Sequence, residues 1–318
     1  MSQGDSEFIF DARLGLIVIS NTANVGGMNT SRSPAPTPAP VNDLSQRRRF
    51  PGRLGTVLRV ALAVVVMAAG VLVLLPLVPF GVLGKADSMA GVAIETVAMS
   101  GSSLFVLLLT WLVVTRLDGR TLSDLRLRVD RRAMVWMLAM MVVAVANVVI
   151  VGAVMNLLGI ESTAERIKDL PLPIVGALVL HQVNLAFLLQ GFPEELVWRG
   201  WLVRSLGDGR VAGITSVIGF TLIHLISKGG QEGWIERILY LATPFGFAVA
   251  AVVVLWVSDS TWAAVGVHAG SHMANLVLFV MPVDRIHPVA WALEGALWLV
   301  VAGVVWFLAR RRALIASH

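Results

Sequence analysis

The amino-acid sequence predicts an all-α fold, a polytopic membrane helix bundle with about eight transmembrane helices. Of the 318 residues, 57% are hydrophobic and 14% are charged, and the mean hydropathy is +0.80. Soluble domains typically carry about 25% charged residues. The apolar residues are gathered in runs of about 20, the length that a hydrocarbon core of about 30 Å requires. Lipid is therefore expected to surround most of the chain.

Eight apolar segments are predicted to span the membrane. They lie at residues 56–80, 91–115, 133–158, 174–200, 211–227, 238–257, 261–281 and 288–309. The fifth, sixth and seventh are the least regular, because they are short or carry polar side chains. The turn residues Gly207, Asp208 and Gly209 follow the fourth segment, which favours a helix that continues to about residue 206.

The composition changes near residue 50 and divides the chain into two parts. Residues 1–50 include the stretch NTSRSPAPTPAPVNDLSQ, rich in Pro, Ser and Asn, and are predicted to be a disordered cytoplasmic segment. The apolar run LGLIVIS within them is too short to span a bilayer. Residues 51–318 are predicted to form one membrane-embedded helical domain.

The distribution of Lys and Arg predicts the orientation in the membrane, because cytoplasmic loops carry an excess of these residues. With the N-terminus inside, the cytoplasmic segments and span ends hold Arg47, Arg48, Arg49, Arg53, Arg116, Arg120, Arg126, Arg128, Arg131, Arg132, Arg199, Arg204, Arg210, Arg310, Arg311 and Arg312. The opposite loops hold Lys85, Arg166, Lys168, Lys228, Arg237 and Arg285. This division of 16 against 6 predicts that both termini are cytoplasmic.

The net charge of +5 does not indicate a nucleic-acid partner, because the basic residues cluster beside hydrophobic spans, where anionic lipid and topology explain them. The 22 Arg against 3 Lys favour a bacterial source with a GC-rich genome. The segment RTLSDLRLRVDRRA, residues 120–133, is either a short helix on the membrane surface or a basic loop that serves topology. The absence of cysteine excludes disulfides, thiolate metal sites and a thiol nucleophile.

The stretch GFPEELVWRGW, residues 191–201, places three charges inside a predicted span. A charge at the centre of a bilayer costs roughly 2.5–3.5 kcal/mol on insertion scales. Glu195 and Arg199 are four residues apart and can pair on one helix face, whereas Glu194 points about 100° away, toward a cavity. The alternative for Arg199 is that its side chain reaches the headgroup region at the end of the span.

Three histidines lie in later spans. His224 ends the pattern FTLIH, and His268 and His272 bound the pattern HAGSH. A lone histidine in a helix is usually a packing residue, but three on spans that can be neighbours suit zinc binding or proton transfer. Small residues around His268 allow close helix packing or leave room for a wet pocket; they are Ala264, Gly266, Ala269, Gly270 and Ser271. His181 is expected to pack in the outer leaflet, and Glu95 and Glu294 to lie near the membrane interface.

The three motifs in this order resemble the family of membrane-embedded proteases that includes the type II CAAX prenyl proteases and bacteriocin-processing or immunity proteins. The family pattern is Glu-Glu-x-x-x-Arg, then Phe-x-x-x-His, then His-x-x-x-Asn. Here EELVWR and FTLIH match in full, and HAGSH matches in its first histidine, with His272 at the usual position of Asn. The resemblance covers residues 174–281. Asn275 lies seven residues after His268, on roughly the same helical face, where it could partly substitute.

The resemblance implies an active site within the membrane that opens to the cytoplasmic side. Glu194 would be the general base that activates water. His224 and His268 would bind or polarise that water, or hold a metal, for which zinc is the expected ion. Glu195 and Arg199 would support the site. His272 would donate a hydrogen bond to an oxyanion or add a third nitrogen ligand to zinc.

Three functions remain open at this point. The first is an intramembrane endopeptidase, a CAAX-protease-like metalloendopeptidase that cleaves a peptide or protein substrate near the cytoplasmic face. The second is a catalytically silent binding or immunity protein with the same fold, favoured by His272. The third is a transporter that uses the same side chains as a proton relay. The motifs His-Glu-x-x-His, Gly-x-Ser-x-Gly and Walker A are absent from the sequence.

Overall fold

The computed structural model describes residues 6–11, 16–21, 50, 52–83, 88–160, 171–279, 281 and 284–316. The chain divides into two compact units. One comprises Leu44–Phe307, and the other comprises Met1–Asp43 and Leu308–His318. The larger unit is the helix bundle, and it contains the motifs EELVWR, FTLIH and HAGSH.

All eight predicted segments are helical. The helices are α1 (Gly52–Leu72), α2 (Met89–Arg116), α3 (Arg131–Leu157), α4 (Leu172–Val203), α5 (Arg210–Ile223), α6 (Trp234–Ser258), α7 (Thr261–Met273) and α8 (Pro288–Ala316). Helix α6 is interrupted between Trp234–Tyr240 and Ala242–Ser258. Short 3₁₀ segments follow α1 at Leu75–Phe80 and α7 at Ala274–Phe279.

Among the described residues, six helical stretches are long and apolar enough to cross a membrane, by length and composition. They involve all the helices except α5 and α7, which have 14 and 13 residues. The all-α bundle predicted from the sequence is confirmed, and the chain is an integral membrane protein. The two short helices are packed within the bundle by their longer neighbours.

Polar residues define where several helices begin. The side chains of Ser88, Asp130 and Ser260 accept backbone hydrogen bonds at the first turns of α2, α3 and α7. Helix α4 continues past residue 200 to Val203, as the turn signal predicted. A turn follows at Gly207, where φ is +98°, a conformation that favours glycine.

The smaller unit contains two short strands. Ser6–Asp11 pairs with Leu16–Asn21 in an antiparallel arrangement. The expectation that residues 1–50 are disordered is therefore wrong for these twelve residues, since both stretches are rich in the aromatic and β-branched side chains that favour strands. The Pro-rich stretch and Arg47, Arg48 and Arg49 lie outside the described residues, as do Lys85, Arg166 and Lys168.

The basic segment between α2 and α3 is anchored to the bundle. It contains one 3₁₀ turn, Leu122–Leu125, instead of a longer surface helix. Leu125 is 1% exposed, because its side chain packs into the core between helices. Its carbonyl oxygen accepts a hydrogen bond from Thr261 Oγ1 at 2.6 Å. The segment therefore closes one end of the helix bundle, in addition to any role in topology.

Glycines allow α7 to approach α3 closely. A Cβ atom built on Gly266 would lie 2.3 Å from the carbonyl oxygen of Met137, and one built on Gly270 would lie 2.7 Å from the Cα atom of Met141. These clashes are with backbone atoms, which cannot move as a side chain can. The small residues predicted to surround His268 thus bring its helix into contact with α3.

We expect Gly266→Ala to lower the thermal unfolding midpoint of the detergent-solubilised protein by several degrees. The added methyl group overpacks the interface, and overpacking typically costs about 1–3 kcal/mol. The matched control is Gly101→Ala in α2, where an added Cβ meets no atom within 4 Å. Equal midpoints for the two variants would contradict the close contact between α3 and α7.

Candidate functional site

The geometry of α4 places the acidic motif at an irregular point of the helix. Phe192–Glu195 is a short α-helical stretch between two π-helical stretches, Asn184–Gly191 and Leu196–Val203. Wider π-type turns leave some backbone groups in altered register and often occur at functional sites. Pro193 contributes to the break because it has no backbone N–H. This local change sets the directions of Glu194 and Glu195.

Glu195 is the central acceptor of a buried charge cluster. Its Oε1 atom accepts hydrogen bonds from Arg199 Nη1 and from His268 Nδ1, each at 3.0 Å. The side chains of Glu195 and Arg199 are completely buried, and that of His268 is 4% exposed. The predicted pairing between positions 195 and 199 is confirmed, and the alternative that Arg199 reaches the headgroups is wrong. Glu195 also ties α4 to α7.

The guanidinium group of Arg199 has a second contact that holds it inside the bundle. Its Cζ atom lies 4.4 Å from the centroid of the Phe220 ring. The same ring packs against His224 at 4.5 Å and against His268 at 5.9 Å between centroids. Phe220, the first residue of the FTLIH pattern, thus lies between the cation and both imidazoles.

Glu194 faces a cavity of about 350 Å³. His224, His268 and His272 line the same cavity. Among the described residues, none donates a hydrogen bond to the buried Oε2 atom of Glu194. The structure therefore brings together one carboxylate and three imidazoles that are distant in sequence, while Glu195 and Arg199 lie behind them.

The hydrogen bonds of two histidines indicate their tautomers. His224 Nδ1 lies 2.7 Å from the carbonyl oxygen of Phe220, and His268 Nδ1 lies 3.0 Å from Glu195. Because both partners are acceptors, each Nδ1 carries the proton in the neutral imidazole. Each Nε2 atom is then left with a lone pair that can accept a hydrogen bond from water.

His272 stacks on His268 instead of standing apart from it. The ring centroids are 5.2 Å apart, and the planes meet at 29°. The backbone oxygen of His272 accepts a hydrogen bond from Gln182 of α4 at 2.6 Å. The stacking places the imidazole of residue 272, where the motif usually has asparagine, beside the cavity.

Sequence reasoning missed a polar clamp on the cavity wall. Arg285, in the segment before α8, bonds to the carbonyl oxygen of Ser271 at 3.1 Å, to Asn275 Oδ1 and to Glu294 Oε1. Asn275, Arg285 and Glu294 all line the cavity. Glu294 is 3% exposed and paired with Arg285, and its expected position near the membrane interface stays a prediction. No sequence signal predicts this contact, because Arg285 lies in a loop nine residues before Glu294 and the spacing indicates no shared helix face.

Two other ionisable residues form a separate buried contact between α2 and α4. His181 Nδ1 lies 2.6 Å from Glu95 Oε2, and the Glu95 side chain is completely buried. Glu95 is therefore buried within the protein, and its expected position near the membrane interface stays a prediction. His181 packs within the bundle against this carboxylate, on a different part of α4 from the acidic motif.

The side chains as placed do not fit the expected zinc site. A carboxylate and two imidazoles are a donor set that zinc accepts. However, among the described residues no group of three or more His, Cys, Asp or Glu side chains is arranged to hold a metal ion. The contact of His268 Nδ1 with Glu195 leaves its Nε2 atom available, as is common for histidines that bind metals. Zinc with His224 and His268 as ligands thus stays a prediction.

Comparison with known proteins gives one family. A family model described as Type II CAAX prenyl endopeptidase Rce1-like matches residues 176–277. The matched region runs from α4 through α7 and includes all three motifs. No curated protein matches the chain. The resemblance seen in the motifs is confirmed for this part of the chain.

We expect Arg199→Met to destabilise the protein strongly, because it leaves the Glu195 carboxylate buried without its cation. Removing one partner of a buried ion pair typically costs about 3–5 kcal/mol. Thermal unfolding in detergent measures the effect. Adding Glu195→Gln to Arg199→Met is expected to recover part of the loss, since the unpaired charge is then removed.

The matched control for this prediction is Arg128→Met. Arg128 pairs with Asp130, but its side chain is 86% exposed, and such pairs contribute little to stability. Similar midpoints for Arg199→Met and Arg128→Met would contradict the assignment of Arg199 as a buried structural partner.

Proposed function

Because residues 176–277 form an Rce1-like region of the type II CAAX prenyl endopeptidase family, we propose that the chain is an intramembrane endopeptidase. It cleaves a peptide or protein substrate in the bilayer, with membrane lipid around it and no nucleic-acid partner. A bacterial cell membrane is the proposed location. One observation carries this proposal: Glu194, which forms no salt bridge with any described residue, lines a polar cavity inside a bundle of apolar helices.

The position of Glu194 suits general-base catalysis. Its neighbour Glu195 takes the ion pair with Arg199, so Glu194 is left to act on a molecule in the cavity. A water molecule can donate one hydrogen to the Glu194 carboxylate and the other to a lone pair of His224 or His268. Both imidazoles present such a lone pair at Nε2. The water oxygen is thereby oriented and made more nucleophilic.

The proposed reaction then follows from these groups. The water oxygen attacks the carbonyl carbon of the scissile peptide bond, and its proton passes to Glu194. The carbonyl oxygen becomes an oxyanion in the tetrahedral intermediate. When the C–N bond breaks, Glu194 returns the proton to the leaving amine, so the products are a carboxylic acid and an amine. His224, His268 and Glu195 hold the geometry throughout.

Asn275 is the proposed donor to the oxyanion. Its Oδ1 atom accepts a hydrogen bond from Arg285, which leaves the Nδ2 amide hydrogens as the free end of the side chain. Asn275 lines the cavity together with Glu194. In this chain Asn275 would therefore take the part that the motif gives to the residue at position 272, and Arg285 would fix its orientation.

A second function rests on His272. The residue replaces the usual asparagine, so a catalytically silent binding or immunity protein with the same fold is the alternative. The two functions differ in their need for the Glu194 carboxylate. Binding to the cavity tolerates an isosteric amide there, whereas hydrolysis does not.

We expect Glu194→Gln to lower peptidase activity at least 100-fold, with thermal unfolding unchanged or slightly raised. General-base catalysis typically contributes about 10²–10⁴-fold, and an amide cannot accept the proton. The matched control is Glu232→Gln, an exposed glutamate in the segment before α6. Cleavage of a peptide library by purified protein measures both, and equal rates for parent and Glu194→Gln would contradict the mechanism.

We expect Asn275→Ala to lower kcat by about 10²–10³-fold while changing KM little, because an oxyanion donor acts mainly in the transition state. The comparison variant is His272→Ala at the motif position. A larger kcat loss for His272→Ala than for Asn275→Ala would assign the donor role to the histidine instead. Steady-state kinetics on one cleaved peptide distinguishes the two.

A further inference from the structure

Part of the cavity wall is a mainly apolar face of α6. Four residues of this helix line the cavity: Tyr240, Thr243, Pro244 and Phe247. The last three follow the first by three, four and seven residues, the spacing of side chains on one side of a helix. Leu241 keeps a right-handed helical conformation, so the face continues through the interruption of α6. At about 1.5 Å per residue, this face is about 10 Å long.

The apolar face of α6 leads from the surface to the proposed catalytic groups. At its inner end, the ring of Phe247 lies 4.9 Å from the ring of His268 between centroids. At its outer end, a Cβ atom built on Gly229 would lie 2.6 Å from the ring of Tyr240. Lys228, next to Gly229, lines the cavity and is exposed. A side chain that enters past Tyr240 therefore stays in contact with α6 until it is beside the imidazole.

Helix α8 adds a second aromatic side chain to this part of the wall. Trp291 lines the cavity, and its ring meets that of Tyr240 edge to face, with centroids 5.5 Å apart and planes at 83°. Thr243 Oγ1 donates a hydrogen bond to the carbonyl oxygen of Trp291 at 3.0 Å. Trp291 lies beyond residues 176–277, so the family match does not determine this contact.

The aromatic wall has a fixed position because α6 and α8 are in backbone contact. A Cβ atom built on Gly246 would lie 2.2 Å from the carbonyl oxygen of Gly295. One built on Gly295 would lie 2.2 Å from the carbonyl oxygen of Ala242. The two helices cannot move closer together, and close-packed interiors yield little to a change in volume. A wall of this kind selects side chains by size and shape.

Other parts of the cavity wall are polar. They include Ser271, Asn275 and the Arg285–Glu294 pair. Ligand sites commonly combine apolar and aromatic surface with a few polar groups that fix orientation. An extended peptide has this character, because its backbone is polar and its side chains can be apolar. The cavity therefore suits a peptide that turns one apolar side chain toward α6 and α8.

We propose that Tyr240 and Trp291 form a subsite for an aromatic side chain of the substrate, on the residue next to the scissile bond. This inference rests on the proposed function and names its specificity. Aromatic rings pair favourably at centroid separations of about 4.5–7 Å, and a ring bound in this subsite has two aromatic partners. The scissile bond is adjacent because the same face of α6 ends at Phe247, in contact with His268.

Mapping of cleavage sites in a proteome-derived peptide library tests the subsite. For the purified parent protein, we expect aromatic residues to exceed alanine at least about 10-fold at one of the two positions flanking the cleaved bond. Tyr240→Ala should lower this ratio about 10-fold or more, since even one methylene group in a pocket changes discrimination about 10–200-fold. Tyr240→Phe should keep the ratio. The ratio does not depend on the amount of folded protein.

The matched control is Ile238→Ala. Ile238 lies on the same helix, is 63% exposed and takes no part in the described cavity wall, so its variant should cleave with the ratio of the parent. Absence of aromatic enrichment in the parent, or equal ratios for the parent and Tyr240→Ala, would overturn the subsite.

A binding measurement distinguishes failure of the subsite from failure of the proposed function. Immobilised Glu194→Gln captures peptides from the same library, and the retained peptides are compared with those retained by Glu194→Gln/Tyr240→Ala. We expect the excess of aromatic peptides to fall about 10-fold or more in the double variant. If the parent cleaves no peptide, the peptidase function fails, whereas the capture ratio still decides the subsite. Equal capture by both variants would overturn it.

Discussion

The structure depends on one buried carboxylate, Glu195, which accepts hydrogen bonds from Arg199 within α4 and from His268 on α7. Each of these groups would be costly in an apolar bundle without the others. Together they fix the ring of His268 at the cavity and join two helices. Glu195 pairs with Arg199, the only basic residue on this part of α4. Glu194 is therefore left to face the cavity. In the proposed function, structure and chemistry are thus divided between adjacent glutamates.

The apolar surroundings impose a second constraint, on the polar groups that line the cavity. Arg285 bonds to Ser271, Asn275 and Glu294, so groups from α7, the 3₁₀ segment after it, the loop before α8 and α8 itself satisfy one another. The opposite end of the bundle is closed by Trp198, Trp201 and the Arg59–Asp118 pair. A polar chamber open at one end and sealed at the other follows from this arrangement.

The eight helical segments and the Glu195–Arg199 pair could be predicted from the sequence, because run length and four-residue spacing are local properties. The grouping of His224 with His268 was predictable only through the family pattern, since spacing cannot tell which helices are neighbours. The contact between Arg285 and Glu294 could not be predicted, because it joins a loop to a helix and Glu294 was expected near the membrane interface. The two strands near the N-terminus were missed because a Pro-rich composition dominated that segment.

A double-mutant cycle between Glu195 and His268 tests most directly whether their contact organises the site. The free energy of unfolding is measured in detergent for the parent, Glu195→Gln, His268→Asn and the double variant. We predict a coupling energy of about 1–3 kcal/mol, the range for residues that share a hydrogen-bond network. Additive effects within about 0.5 kcal/mol would contradict the account, because the two side chains would then act independently.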